Sequence, residues 1–95
     1  MKVVFATEVW AEVDAARAYY ENEVEGLGKA FVYAVHDSIE EIKNYPTSSR
    51  IIRGSYRRFL TPRFPFGIVY QISEHTIYVV AVAHLRKRPN YWKNR

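Results

Sequence analysis

Cysteine is absent from this chain of 95 residues. Its absence removes thiolate metal sites, iron–sulfur clusters, redox pairs and thiol nucleophiles, and it suits a reducing compartment. No stretch nears the roughly 20 consecutive apolar residues of a membrane span. The apolar run at residues 3–6 is also shorter than the roughly 7–15 residues of a secretory signal core. These absences point to a cytoplasmic protein without membrane contact. Nucleotide-cofactor loops are missing too: neither G-x-G-x-x-G nor G-x-x-x-x-G-K-[ST] occurs. His36, His75 and His84 have no metal-ligand spacing, so no metal and no cofactor is expected. Ser38, Ser48, Ser49, Ser55 and Ser73 lack a G-x-S-x-G context.

Acid is scarce in one half of the chain. Residues 46–95 carry ten basic side chains and one acid, Glu74, a balance of +9. Residues 1–45 carry four basic and nine acidic side chains, a balance of −5. The net charge of +4 hides this division. A basic field of this kind favours a polyanion or an acidic protein partner.

What is present is a folding composition: 48% hydrophobic and 16% aromatic residues, enough for one domain over residues 1–95. Residues 2–6 are short, β-branched and aromatic, and read as a first strand. Thr7 is placed to cap a helix whose stripe is Trp10, Val13, Ala16 or Arg17, and Tyr20. The turn at residues 25–28 stops it. A second helix presents Leu27, Phe31, Ala34, Val35, Ser38, Ile39 and Ile42 on one face, and Pro46 lies just beyond it. The acids of both helices are assigned to the opposite, solvated face. Residues 50–53 and 56–60 read as one strand interrupted near Gly54. Residues 67–73 and the wholly apolar 76–83 follow as antiparallel strands, the last covered on both faces. The expected fold is α+β, a strand and a helical hairpin on a small, mainly antiparallel sheet in the order β-α-α-β-β-β.

Candidate functional groups concentrate in the basic half. Arg50, Arg53, Arg57, Arg58 and Arg63 form one set; Arg86, Lys87, Arg88, Tyr91 and Trp92 form the other. Arginine makes bidentate phosphate contacts and tyrosine and tryptophan offer faces to unstacked bases. Metal-independent RNA cleavage would need a base, an acid and a cation, which His84, Arg86, Arg58 and Tyr91 could supply. Tyr91 and Trp92 equally fit a terminal lid folded back on the sheet. His84, at a strand end, equally fits a hydrogen-bonded structural histidine.

The segments 15–20, 27–31, 39–46, 56–59, 64–70 and 81–92 together resemble the RelE/ParE superfamily of bacterial type II toxins. The most telling residues are Phe64, Pro65, Ile68 and Tyr70, then His84, Arg86, Pro89, Tyr91 and Trp92. The resemblance implies a toxin neutralised by a cognate antitoxin with an acidic tail, in a toxin–antitoxin hetero-oligomer. RelE-like members cleave mRNA on the ribosome; ParE-like members poison DNA gyrase. The nuclease branch commonly has an arginine where this chain has Gly67, and its lysine-rich second strand is replaced here by arginines. The resemblance therefore leans to the ParE-like branch. A ribosome-dependent endoribonuclease is the alternative, and a non-catalytic nucleic-acid-binding module a further one.

Overall fold

The computed structural model describes all 95 residues. Strand β1 (Lys2–Phe5) leads into helix α1 (Thr7–Glu23) and helix α2 (Leu27–Asn44). Four strands follow: β2 (Arg50–Arg53), β3 (Tyr56–Leu60), β4 (Phe66–Ser73) and β5 (Thr76–His84). The sheet order is β1-β5-β4-β3-β2. Only β1 and β5 run parallel; the other neighbours are antiparallel. Two helices on a mixed sheet match the fold class expected from the sequence.

Three local expectations change. The segment read as one interrupted strand is a hairpin of β2 and β3, because Gly54 takes a positive φ of 54° and reverses the chain. Thr7 does not cap α1. Ala6 holds that position without a side-chain bond, and Thr7 is the first helical residue. Trp10 lies off the buried stripe: it is 61% exposed, its ring 4.9 Å from that of Phe5 at the sheet edge. The stripe instead runs Val9, Val13, Ala16 and Tyr20, which pack in the core, and it keeps the helical period.

The helix layer covers one face of the sheet. Phe31, Val35 and Ile42 from α2 pack with Ile68, Tyr70, Ile77, Val79 and Val82. Tyr20, Phe31, Phe64 and Phe66 form an aromatic cluster, with Tyr20 to Phe64 at 4.9 Å and Phe31 to Phe66 at 4.9 Å between ring centroids. Ser38 sits buried in the helix–sheet contact as expected, its hydroxyl donating to Ala34 O at 2.7 Å. The second face carries a smaller core of Val69, Val80, Ala81 and Trp92. Both faces of β5 are therefore covered, which accounts for its unbroken apolar sequence.

β5 can serve both cores at successive residues because of a bulge. Val69 pairs with Ala81 and Tyr70 with Val79, so Val80 is the extra residue. Val79 and Val82 then face the helices while Val80 and Ala81 face the other side.

The helical hairpin is closed by one carboxylate. Glu21 accepts Gly26 N–H at 2.9 Å and Gly28 N–H at 3.0 Å. These bonds, Gly26 first, hold its carboxyl below the ordinary carboxylate value. Gly28 also lets the helices approach closely: a Cβ there would stand 2.6 Å from Arg17 O. Gly28→Ala is expected to cost about 1–3 kcal/mol by overpacking, read from urea unfolding. Glu21→Gln is expected to flatten the acid limb of stability. A depressed folded value gives stability that is present above the unfolded carboxylate value and lost as pH falls through the folded one. An unchanged acid limb in thermal unfolding would contradict this role.

Candidate functional site: a cationic groove walled by the C-terminal tail

Residues 85–95 turn back across the sheet face opposite the helices. Trp92 anchors them at 4% exposure, with its ring 4.7 Å from Tyr56. The far end is fixed by Glu12 of α1. Its Oε1 accepts Val82 N–H at 3.0 Å and pairs with Arg95 Nη1 at 2.9 Å, while Oε2 accepts the Tyr91 hydroxyl. Arg95 Nη1 also donates to Val80 O at 3.1 Å, and its guanidinium carbon lies 5.0 Å from the centre of the Tyr91 ring.

These contacts have a structural cause. β1 stops at Phe5, opposite Val79, and the last backbone bond to β5 on that edge is Ala6 N–H to Val79 O at 2.9 Å. Past that point the edge groups of β5 need other partners. Glu12 supplies an acceptor for Val82 N–H and Arg95 a donor for Val80 O. The two side chains continue the ladder that β1 leaves unfinished.

Between the tail and β2–β3 lies a cavity of about 380 Å³. Arg50, Arg58, Lys87 and Arg88 line it, with His84 at one end and no acidic residue in the wall. Arg50 and Arg58 are cross-strand partners. Gly67 admits the stem of Arg58: a Cβ there would lie 2.7 Å from Arg58 Cδ and 2.8 Å from its Cγ. His84 Nδ1 accepts the backbone N–H of Arg86 at 3.0 Å, so the neutral ring carries its proton on Nε2. The ring also meets Phe66 edge-on at 5.1 Å.

The remaining candidates are placed elsewhere or committed to protein contacts. Arg57 Nη1 donates to Thr47 O at 2.9 Å and Ser49 O at 2.8 Å, tying down the loop before β2. Arg63 lies over the Phe64 ring at 5.6 Å, beside a separate cavity against α2. Arg53 and Arg86 are exposed and line no described cavity. Tyr91 borders the groove, but its phenol is spent on Glu12. Burial first, then the Glu12 bond and charge, push that phenol well above its ordinary value. Of the four groups named for RNA cleavage, His84 and Arg58 share the groove. Arg86 and the Tyr91 hydroxyl do not join them there.

Sequence reasoning missed Glu12 and Arg95 as a pair. By charge alone Glu12 reads as one of the solvated acids, although it falls three residues after Val9 and four before Ala16, on the edge of the buried stripe. That spacing was the available signal. A second cavity of about 590 Å³ lies on the other side of the tail, lined by Ala11, Ala15, Tyr19 and Phe66. His84, Lys87 and Tyr91 border both cavities, so the tail is their common wall.

The helical hairpin on a mixed sheet, with a cationic groove under a folded-back tail, defines a small α+β protein of the RelE/ParE type. Residues 3–89 match the family model for the ParE toxin of the type II toxin–antitoxin system, parDE, and the chain belongs to that family. No curated protein sequence matches it at a significant level. Among solved structures it is similar to a chain of the chromosomal ParDE toxin–antitoxin system from P. aeruginosa. The TM-score is 0.66 at 19% identity, over 88% of this chain and 95% of that one, a likeness of fold.

Glu12→Ala is expected to lower stability by about 2–4 kcal/mol, since it strands the Val82 amide, the Tyr91 hydroxyl and Arg95 together. In a Trp10→Phe background, emission from Trp92 should shift to the red as the tail loosens. Unshifted emission with unchanged stability would contradict the tail contact. The raised Tyr91 value carries a sign: its contribution is complete below the free phenol value of about 10 and is lost only as pH rises through the higher folded value. A spectrophotometric titration should therefore show Tyr91, like the partly buried Tyr20, ionising later than a free phenol, and the late step should shrink in Tyr91→Phe.

Proposed function

We propose that this ParE-family chain inhibits growth by acting on DNA gyrase in the cytoplasm, and that a cognate antitoxin with an acidic tail neutralises it in a hetero-oligomer. The observation that carries the gyrase reading is the absence of a free acid–base pair at the groove. No carboxylate lines it, and the phenol of Tyr91 is held protonated by Glu12. A metal-independent ribonuclease needs a proton acceptor and a proton donor within reach of one phosphate. Gly67, where the nuclease branch commonly has arginine, supports the same reading.

Antitoxin binding is supported by the two surfaces that meet at the tail. The cavity walled by Ala11, Ala15 and Tyr19 offers an apolar surface to an amphipathic helix. Lys87 at its rim and the basic half beyond offer partners for acidic side chains. No helix of the chain is long and apolar enough to cross a membrane.

Purified protein added to gyrase, ATP and relaxed plasmid is expected to reduce supercoiled product or to accumulate cleaved DNA. Translation in a cell extract should continue, with full-length mRNA. Normal supercoiling together with mRNA cut on the ribosome would replace this reading with the endoribonuclease one.

A further inference from the structure

The groove gathers charge that the protein itself does not neutralise. Arg50 and Arg58 face each other across neighbouring strands. Like charges so placed are destabilising. Lys87 and Arg88 close the opposite wall. The chain's ion pairs involve Arg17, His36, Lys43 and Arg95, and none of the four groove cations. Arg58 is moreover held in place, since its stem lies over Gly67 and any larger residue would displace it. An arrangement of this kind is stabilised by a multivalent anion from outside.

The aromatic residues decide which polyanion suits it. Trp92 is buried, Tyr56 stacks against it, and Tyr91 is tied to Glu12 and flanked by the cations of Lys87 and Arg95. The groove therefore offers charge without a free ring on which an unpaired base could stack, and single strands are bound largely through such stacking. The field also extends beyond the cavity, because Arg53, Arg86 and Lys93 are exposed on the same strand and tail. A long, regularly charged backbone fits that spread better than one carboxylate cluster of a peptide.

We infer that the cationic groove between the tail and the β2–β3 hairpin binds the phosphate backbone of duplex nucleic acid, without reading base sequence. Arg50, Arg58, Lys87 and Arg88 make the contacts, and Gly67 is the positioning residue for Arg58. The inference is independent of gyrase, since it concerns the protein and a duplex alone.

The test is equilibrium binding of the full chain to 20-base-pair DNA and RNA duplexes, a 20-nucleotide DNA single strand and polyglutamate, over a range of salt. Four phosphate contacts predict a loss of affinity of about 100-fold between about 50 and 200 mM salt. R50A/R58A, which leaves two contacts, should reduce that loss to about tenfold. The variant G67A keeps the charge but displaces Arg58, and should weaken binding, while R58A adds less on top of it than it does to the native chain. K29A/K43A, which removes the same charge from the helix layer, should leave binding within about twofold. Thermal unfolding confirms that each variant is folded; should R50A/R58A not fold, R50A and K87A separately carry the test. At least one duplex should bind more tightly than the single strand. The inference is overturned by tighter binding of the single strand, by binding of polyglutamate alone, by equal losses in the helix-layer control, or by no duplex binding at low salt. Gyrase inhibition beside any of these leaves the proposed function standing, and duplex binding without gyrase inhibition leaves this inference standing.

Discussion

One carboxylate joins the three layers of this protein. Glu12 rises from α1, accepts the amide of Val82 from the open edge of β5, and holds Tyr91 and Arg95 of the tail. Its side chain and that of Arg95 are each only 16% exposed, so the pair is shielded from most of the screening that makes surface ion pairs weak. Burying a charge is costly unless it is paired and hydrogen-bonded. Here the cost is offset on both sides: the carboxylate has three donors, and the guanidinium has a carboxylate and the Val80 carbonyl.

The rest follows from that contact. A β1 of only four residues can lie beside the longer β5 because side chains take over where its backbone stops. The bulge at Val80 presents a carbonyl to Arg95 and turns Val80 and Ala81 to the second face, where Trp92 covers them. With the tail fixed at both Trp92 and Arg95, Lys87 and Arg88 stand across from Arg50 and Arg58. The groove is thus a consequence of how the sheet edge is closed. Because the tail also walls the cavity along α1, a partner bound on that side touches the same segment that shapes the groove.

Much of this was legible in the sequence, and the failures have physical causes. The stripe of α2 was read correctly because Phe31, Val35, Ser38 and Ile42 all face one core at the helical period. The apolar length of β5 announced cover on both faces. The turn at Gly54 reads as an interruption because two short strands flanking a glycine look the same in sequence whether the chain continues or reverses. Trp10 misled because a large aromatic ring outweighs Val9 in any hydrophobic pattern, although an edge position lets it pack on Phe5 and remain exposed. In the candidate site, the basic residues were visible as a cluster, but their division into free and committed groups was not. Arg57 and Arg58 are adjacent in sequence and point to opposite faces of β3, one spent on a loop and the other lining the groove. Glu12 and Arg95, 83 positions apart, carry no local signal of each other.

The most direct measurement is amide hydrogen exchange at Val82. On the open edge of β5 its N–H has no strand partner, and only the Glu12 carboxylate protects it. Exchange as slow as that of the neighbouring β4–β5 ladder amides, lost selectively when Glu12 is replaced by alanine, is expected. Val82 exchanging at the rate of the exposed edge strand β2 in the intact chain would contradict it.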